Sequence, residues 1–228
     1  LNEYFCLKTI EKVGVPIPNI QLSKNNKFLI VEKFNYDKNT DTFFGFEEVL
    51  ALLGKNKDEK YGGSYEQVAK VIYSVTTDKL NCMKKFFKVI IMNYLLKNGD
   101  AHLKNFGVLY SNDFKNIWFA PAYDVVTTTA YFHKDRPALT MFGRKVWFGK
   151  KELIKFGCEY CYLSNQESTL IYNNCLDNLE ISRNELIEYI SKNDTFKEIG
   201  NKMSESWNIS LDSKTYKELP DEVTRTWN

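Results

Sequence analysis

The stretch from Met83 to Leu95 constrains the fold more than any other part of the chain. Met83, Phe86, Phe87, Ile90, Ile91, Tyr94 and Leu95 fall at helical spacing, and the segment is apolar on most of its sides. Such a helix has little solvent face, so it must run through the middle of a lobe built mainly of other helices. It is bounded by Leu96-Lys97-Asn98-Gly99, where Asn-Gly is a strong turn signal. Just upstream, Val68, Val71, Ile72 and Val75 form a second apolar stripe that predicts a helix from Tyr65 onward.

With 228 residues, 43% hydrophobic and 26% charged, the chain is long enough to bury that core in one domain, or one domain with a small appendage. Tyr4, Phe5, Leu7, Ile10 and Val13 predict an opening helix that stops at Gly14, Pro16 and Pro18. Ile20 to Leu22 and Phe28 to Val31 predict a β-hairpin around Lys24-Asn25-Asn26-Lys27, and Phe106 to Tyr110 with Ile117 to Ala120 predict a second. Asn35 to Thr42 reads as a polar loop, Phe46 to Leu53 as a short helix, and Lys55 to Ser64 as a charged loop whose Gly62-Gly63 is either a mobile element near the substrate or a simple connector. Beyond Thr140 the pattern is helical, with capping-box spacings at Ser164 and Glu167 and at Ser182 and Glu185. Phe196, Ile199, Met203 and Trp207 continue a stripe, and the last twenty residues are polar apart from Tyr216 and Trp227. The fold class is therefore α+β, mainly helical, with short β-hairpins.

Charge and cysteine content exclude several functions. The formal net charge is only +2, so nothing global draws the chain to nucleic acid or anionic lipid. Five irregularly spaced cysteines do not make a disulfide framework and fit a reducing cytoplasm. No apolar run of about eighteen residues and no signal-peptide order occur, which disfavours membrane spanning and secretion. The chain begins on Leu1 with an amphipathic pattern already under way, and so reads as part of something longer.

The chemistry concentrates in Asp100-Ala101-His102-Leu103-Lys104-Asn105, between the apolar helix and the second hairpin, and in Pro121-Ala122-Tyr123-Asp124 just after that hairpin. Asp100 and Asn105 have the D-x-x-x-x-N spacing of a phosphoryl-transfer catalytic loop, and a second Asp beyond a hairpin is where a metal-binding carboxylate lies in such sites. One carboxylate takes the acceptor's proton, and hard oxygen donors hold Mg²⁺ against the phosphates.

Asn2-Glu3-Tyr4-Phe5-Cys6-Leu7, Val31-Glu32-Lys33-Phe34, the Asp100 to Phe106 loop and Pro121-Ala122-Tyr123-Asp124 together resemble the C-terminal domain of the HipA-type toxin kinases of bacterial toxin–antitoxin modules. The resemblance is clear to about residue 124. It implies a protein-kinase-like C-terminal lobe over 1–228, with a helix, strands and hinge in 1–34 and a mostly helical lobe in 35–228. It implies transfer of the ATP γ-phosphate to a serine or threonine of a protein, in the family an aminoacyl-tRNA synthetase where the target is known. Carried over by position, Asp100 would be the catalytic base, and Asn105 and Asp124 would hold Mg²⁺. The backbone of Glu32, Lys33 and Phe34 would meet the adenine, His102, Lys104 and Tyr123 would line the ATP pocket, and Glu3 would orient the phosphate-binding Lys of the N-terminal part. The family's Gly-rich loop and that Lys precede the Glu3 helix, so they are expected from the rest of a longer chain or from a partner chain. A DNA-binding antitoxin is the other partner implied.

Plainer readings stand beside these. Asn, Gly and Asp are the commonest turn formers, Asp124 can be a cap, and Lys104 can be one more solvated lysine. Cys158 and Cys161 have C-x-x-C spacing without a second pair, which favours packing or surface thiols over zinc or redox work. Arg144, Lys145, Lys150 and Lys151 interleave with Phe142, Trp147 and Phe148, a pattern expected of a solvated hairpin with its aromatics inward, with DNA phosphates as the weaker alternative. The rival functions are a small-molecule phosphotransferase and a non-enzymatic docking module for an antitoxin or DNA.

Overall fold

The computed structural model describes residues 1–212, so Tyr216 and Trp227 lie outside the described residues. Helix α1 spans Asn2–Lys12 and buries Phe5, Cys6, Leu7 and Ile10. It ends at Val13 and a left-handed Gly14, φ 76°. Strands β1 (Ile20–Leu22) and β2 (Leu29–Val31) pair antiparallel, Ile20 opposite Val31, around the expected Lys24–Lys27 turn.

The next segment departs from expectation twice. The polar stretch after Asn35 holds a small hairpin, β3 (Tyr36–Asp37) with β4 (Thr42–Phe43). The segment expected as a helix from Phe46 starts instead as strand β5 (Gly45–Glu48), and only Val49–Leu52 is helical, as α2. Tertiary pairing overrides the local pattern here. β5 completes an antiparallel sheet with β6 (Gly107–Tyr110) and β7 (Ile117–Phe119), in the order β5-β6-β7. Two interlocked contacts hold the register. The Tyr110 ring covers Gly45, where a Cβ would lie 2.0 Å from it, and the Phe46 ring covers Gly107, where a Cβ would lie 2.5 Å away.

Helices α3 (Tyr65–Val75) and α4 (Lys79–Leu95) follow. Ser64 and Gln67 form a capping box on α3, and the Asp78 side chain caps α4. Met83, Phe86, Phe87, Ile90 and Ile91 of α4 are all 0% exposed, so α4 is the central helix that its composition requires. Helices α5 (Lys150–Tyr160), α6 (Asn165–Ser191) and α7 (Lys197–Asp212) wrap it. The Ser164 and Glu167 capping box starts α6, whereas Ser182 and Glu185 lie inside the same helix. The spacing alone does not start a new helix when Leu179, Leu186 and Ile190 keep a continuous buried stripe across it.

The basic-aromatic stretch is a tight two-residue turn between Met141 and Arg144, with Phe142 at φ 49° and Gly143 at φ 74°, and no strand flanks it. Phe148 is buried with Arg144 over its ring, while Lys145, Lys150 and Lys151 face solvent. Cys161 is buried at the end of α5 and Cys158 contacts the Ser168 hydroxyl. Among the described residues no helix is long and apolar enough to cross a membrane.

Candidate active site

The site is built where α4 stops. Leu96 caps the helix and Lys97 turns the chain in a left-handed conformation, φ 58°. Asn98 folds back, its side-chain Nδ2 donating to Asn93 Oδ1 at 2.7 Å while its Oδ1 accepts the Asp100 N–H at 3.1 Å. Gly99 donates its N–H to Thr128 Oγ1 at 2.8 Å. Gly99 is needed for room, since a Cβ there would sit 2.1 Å from Asp135 Oδ2 and 2.8 Å from the Arg136 carbonyl. Asp100 thus leaves a rigid helix end on a turn bonded on both sides.

A one-turn helix at Leu103–Asn105 follows, and the Asn105 Oδ1 accepts the His102 N–H at 3.0 Å. The hairpin β6–β7 then carries the chain out and back to Asp124, whose backbone is left-handed at φ 53°. Asn105 Nδ2 donates to Asp124 Oδ2 at 2.7 Å, closing residues nineteen apart in sequence into one pair. Helix α1 braces the far side of Asp124. The Glu3 carboxylate accepts the Asp124 N–H, and Asn2 makes two bonds to the Thr127 backbone, at 2.8 and 3.1 Å. Burial, then the Asp124 charge, raise the Glu3 carboxyl above its usual range.

A cleft of about 520 Å³ opens over this turn and is lined by Asp100, His102, Lys104, Asn105, Tyr123 and Asp124. His102 is 5% exposed and its Nδ1 has no partner. Burial lowers its pKa, partly opposed by the Asp100 charge, which favours the neutral ring. The Lys104 ammonium lies 3.8 Å from Glu48, and its carbonyl accepts the Tyr123 hydroxyl at 2.6 Å. Burial holds that phenol protonated. Phe34 stacks on Tyr123, ring centres 5.4 Å apart, and meets Phe46 edge-on at 5.2 Å. The side chains of Glu32, Lys33 and Phe34 are not among those lining the cleft. Glu32 pairs with Lys38 and accepts from Asn19 at 3.1 Å, and Lys33 sits over Phe43 at 5.9 Å.

The structure adds Glu48, Lys57, Asp58, Lys60 and Tyr61 to the cleft wall. Tyr61 donates its hydroxyl to Asp100 Oδ1 at 2.7 Å. No local pattern marks these residues, because β5 and the 55–64 loop reach the site through tertiary contacts, among them the three-stranded sheet and the bond from the Leu103 N–H to the Lys60 carbonyl at 3.1 Å.

The donors suit Mg²⁺. Asp124 offers an exposed carboxylate, Asn105 an amide oxygen with a lone pair left after the His102 bond, and both are hard ligands. Among the described residues no three His, Cys, Asp or Glu gather as a closed cage. Mg²⁺ ordinarily takes one or two carboxylates and completes its shell with water and phosphate.

Comparison with known proteins agrees with this architecture. A protein of Haemophilus influenzae named "Putative kinase" is 29% identical over 160 residues, which is 63% of this chain and 46% of that protein. "Putative kinase Y4dM" of Sinorhizobium fredii is 24% identical over 158 residues, 63% of this chain and 37% of its own length. The chain therefore spans less than half the length of these relatives. The HipA, HipB and operator DNA complex of Shewanella oneidensis MR-1 contains a chain of the same fold, with TM-score 0.74 and 14% identity over 93% of this chain and 55% of that one. The Helicobacter pylori proinflammatory kinase CtkA gives TM-score 0.56 and 15% identity over 93% of this chain and 79% of its own. The family model for the HipA-like C-terminal domain matches residues 1–182, from the α1 residues that brace Asp124 into α6, and the chain belongs to that family.

Proposed function

We propose that this domain is the catalytic-loop portion of an ATP-dependent serine/threonine protein kinase of a bacterial toxin–antitoxin system, acting in the cytoplasm. The observation that carries the reading is the meeting of Asp100, Asn105 and Asp124 at one cleft, with Asn105 and Asp124 bonded at 2.7 Å. Asp100 takes the proton of the acceptor hydroxyl. Asn105 and Asp124 would hold Mg²⁺, which when bound neutralises phosphate charge. Lys104 faces the phosphates, and the Phe34 and Tyr123 stack lies beside the 32–34 hinge that would meet the adenine. His102 lines the same cleft, with its ring edge-on to Tyr61. The Gly-rich loop and its Lys belong to the remainder of a longer chain or to a partner chain, in keeping with the 46% and 37% of the relatives that the domain spans.

The solved HipA relative was crystallised with HipB and operator DNA, which supports a DNA-binding antitoxin as partner here. An aminoacyl-tRNA synthetase is the acceptor proposed by family likeness. The decisive assay is transfer of labelled γ-phosphate from Mg·ATP by the complete protein and its Asp100→Ala variant. Loss of a base should cost roughly 10²- to 10⁴-fold in rate. Undiminished transfer by the variant removes Asp100 from the base role, and absence of any Mg·ATP binding leaves the docking-module reading in its place.

A further inference from the structure

Tyr61 stands in an unusual relation to the proposed base. Its hydroxyl donates to Asp100 Oδ1 at 2.7 Å, the reach at which a general base must find the proton of the hydroxyl it activates. Its ring lies edge-on to His102 with centres 5.2 Å apart, and the Lys60 ammonium sits 4.7 Å from the ring centre. Yet the side chain is 45% exposed at the cleft mouth, so its burial does not hold it in place. Burial and the Asp100 bond both raise the phenol's pKa, which keeps the proton on Tyr61.

The backbone around Tyr61 is fastened. The Lys60 carbonyl accepts from Leu103, the Gly63 carbonyl accepts from Thr140 at 3.2 Å, and the Tyr61 carbonyl accepts from Lys145 at 3.5 Å. Capping boxes at Asn56 and Ser64 bracket the segment. The freedom left is rotation of the Tyr61 side chain toward solvent, rather than opening of the loop.

We propose that Tyr61 holds the acceptor's place at Asp100, so that an acceptor hydroxyl reaches the carboxylate only by displacing the phenol. This rests on the kinase reading above and adds to it a residue that determines which acceptors are admitted. A macromolecular acceptor with many contacts along the cleft can expel the ring outright, whereas a water has only its own hydrogen bonds to set against the phenol's and displaces it less often. Tyr61 thereby guards against ATP hydrolysis. In that side reaction water would attack the γ-phosphorus, its proton would pass to Asp100, and the bond to the β,γ-bridging oxygen would break to release ADP and phosphate.

The test measures phosphate release from Mg·ATP, and transfer to dephosphorylated casein, by the complete protein carrying wild-type Tyr61, Tyr61→Phe, Tyr61→Ala or Asp100→Ala. Tyr61→Ala should raise hydrolysis several-fold, and Tyr61→Phe, which keeps the ring and drops the hydroxyl, should lower the KM for casein with kcat little changed. Hydrolysis and KM equal to wild type in both variants, or a fall in kcat in both, would overturn the proposal. So would phosphate on Tyr61 itself after incubation with Mg·ATP, because the phenol would then be an acceptor. Activity in Asp100→Ala equal to wild type defeats the kinase reading instead. An inactive Asp100→Ala beside Tyr61 variants that behave as wild type defeats only the gate.

Discussion

Trp207, in helix α7 and beyond the 1–182 family match, donates its indole N–H to the Thr127 hydroxyl at 2.8 Å. Thr127 lies three residues after Asp124, and its backbone is also held by Asn2 of α1. The two ends of the described chain thus meet on the segment that sets the carboxylate. Trp207 is 0% exposed. Trp207→Phe removes the bond while keeping most of the apolar bulk and should cost about 1–2 kcal/mol. Trp207→Ala, which empties the site, should cost about 3–5 kcal/mol. Urea midpoints of the three proteins check this, and an unmoved midpoint in Trp207→Phe would show that the bond contributes nothing.

Asn105 is bonded on both sides, to the His102 N–H and to Asp124. Asn105→Ala and Asp124→Ala should each weaken Mg·ATP binding to the complete protein by at least about tenfold, since each removes a charge-assisted or metal-facing oxygen. Calorimetric titration with and without Mg²⁺ reads the effect. Equal affinity for ATP in the absence of metal would locate the loss in the metal rather than in the fold.

Gly99 has no left-handed φ to excuse it, and its need is for space beside Asp135 and Arg136. Gly99→Ala should displace the 135–136 backbone or the Asp100 turn and cost about 1–3 kcal/mol. Because Asp100 is the next residue, phosphoryl transfer should fall more than stability does. A variant with wild-type midpoint and wild-type rate would show that the neighbouring loop moves freely.

Lys97 is half-buried with its ammonium 5.1 Å from the Trp147 ring centre, and burial pushes its pKa down to about 8. Below pH 8 the group is charged in both folded and unfolded chains, and the folded state carries the whole desolvation cost. Between pH 8 and about 10.4 only the unfolded chain keeps the proton, so stability rises with pH across that window. Lys97→Met should therefore be more stable than wild type at pH 7, by about 1 kcal/mol once exposure and the π contact are discounted. The gap should close by pH 10. A gap that stays constant from pH 7 to pH 10 would show that the ammonium is not its source.

What the sequence determined by itself was whatever depends on near neighbours. The apolar periodicity of Met83 to Leu95 places α4 at the centre, the apolar runs on either side of Lys24–Lys27 make a hairpin, and Ser164 with Glu167 starts α6. The D-x-x-x-x-N spacing and the Asp beyond the hairpin picked out Asp100, Asn105 and Asp124, which line one cleft together with His102, Lys104 and Tyr123. Only the tertiary structure decided the rest. Gly45–Glu48 is a strand because Gly107–Tyr110 offers it a ladder and two aromatic rings fill its glycine gaps, and nothing within Phe46 to Leu53 encodes that partner. The Glu32 and Lys33 side chains pair with Asn19, Lys38 and Phe43, on strands and turns brought together by folding. Tyr61 reaches Asp100 across thirty-nine residues of sequence, and Trp207 reaches Thr127 across eighty. Such bonds form between groups whose separation along the chain carries no period, so local pattern is silent about them and the packed core alone sets their distance.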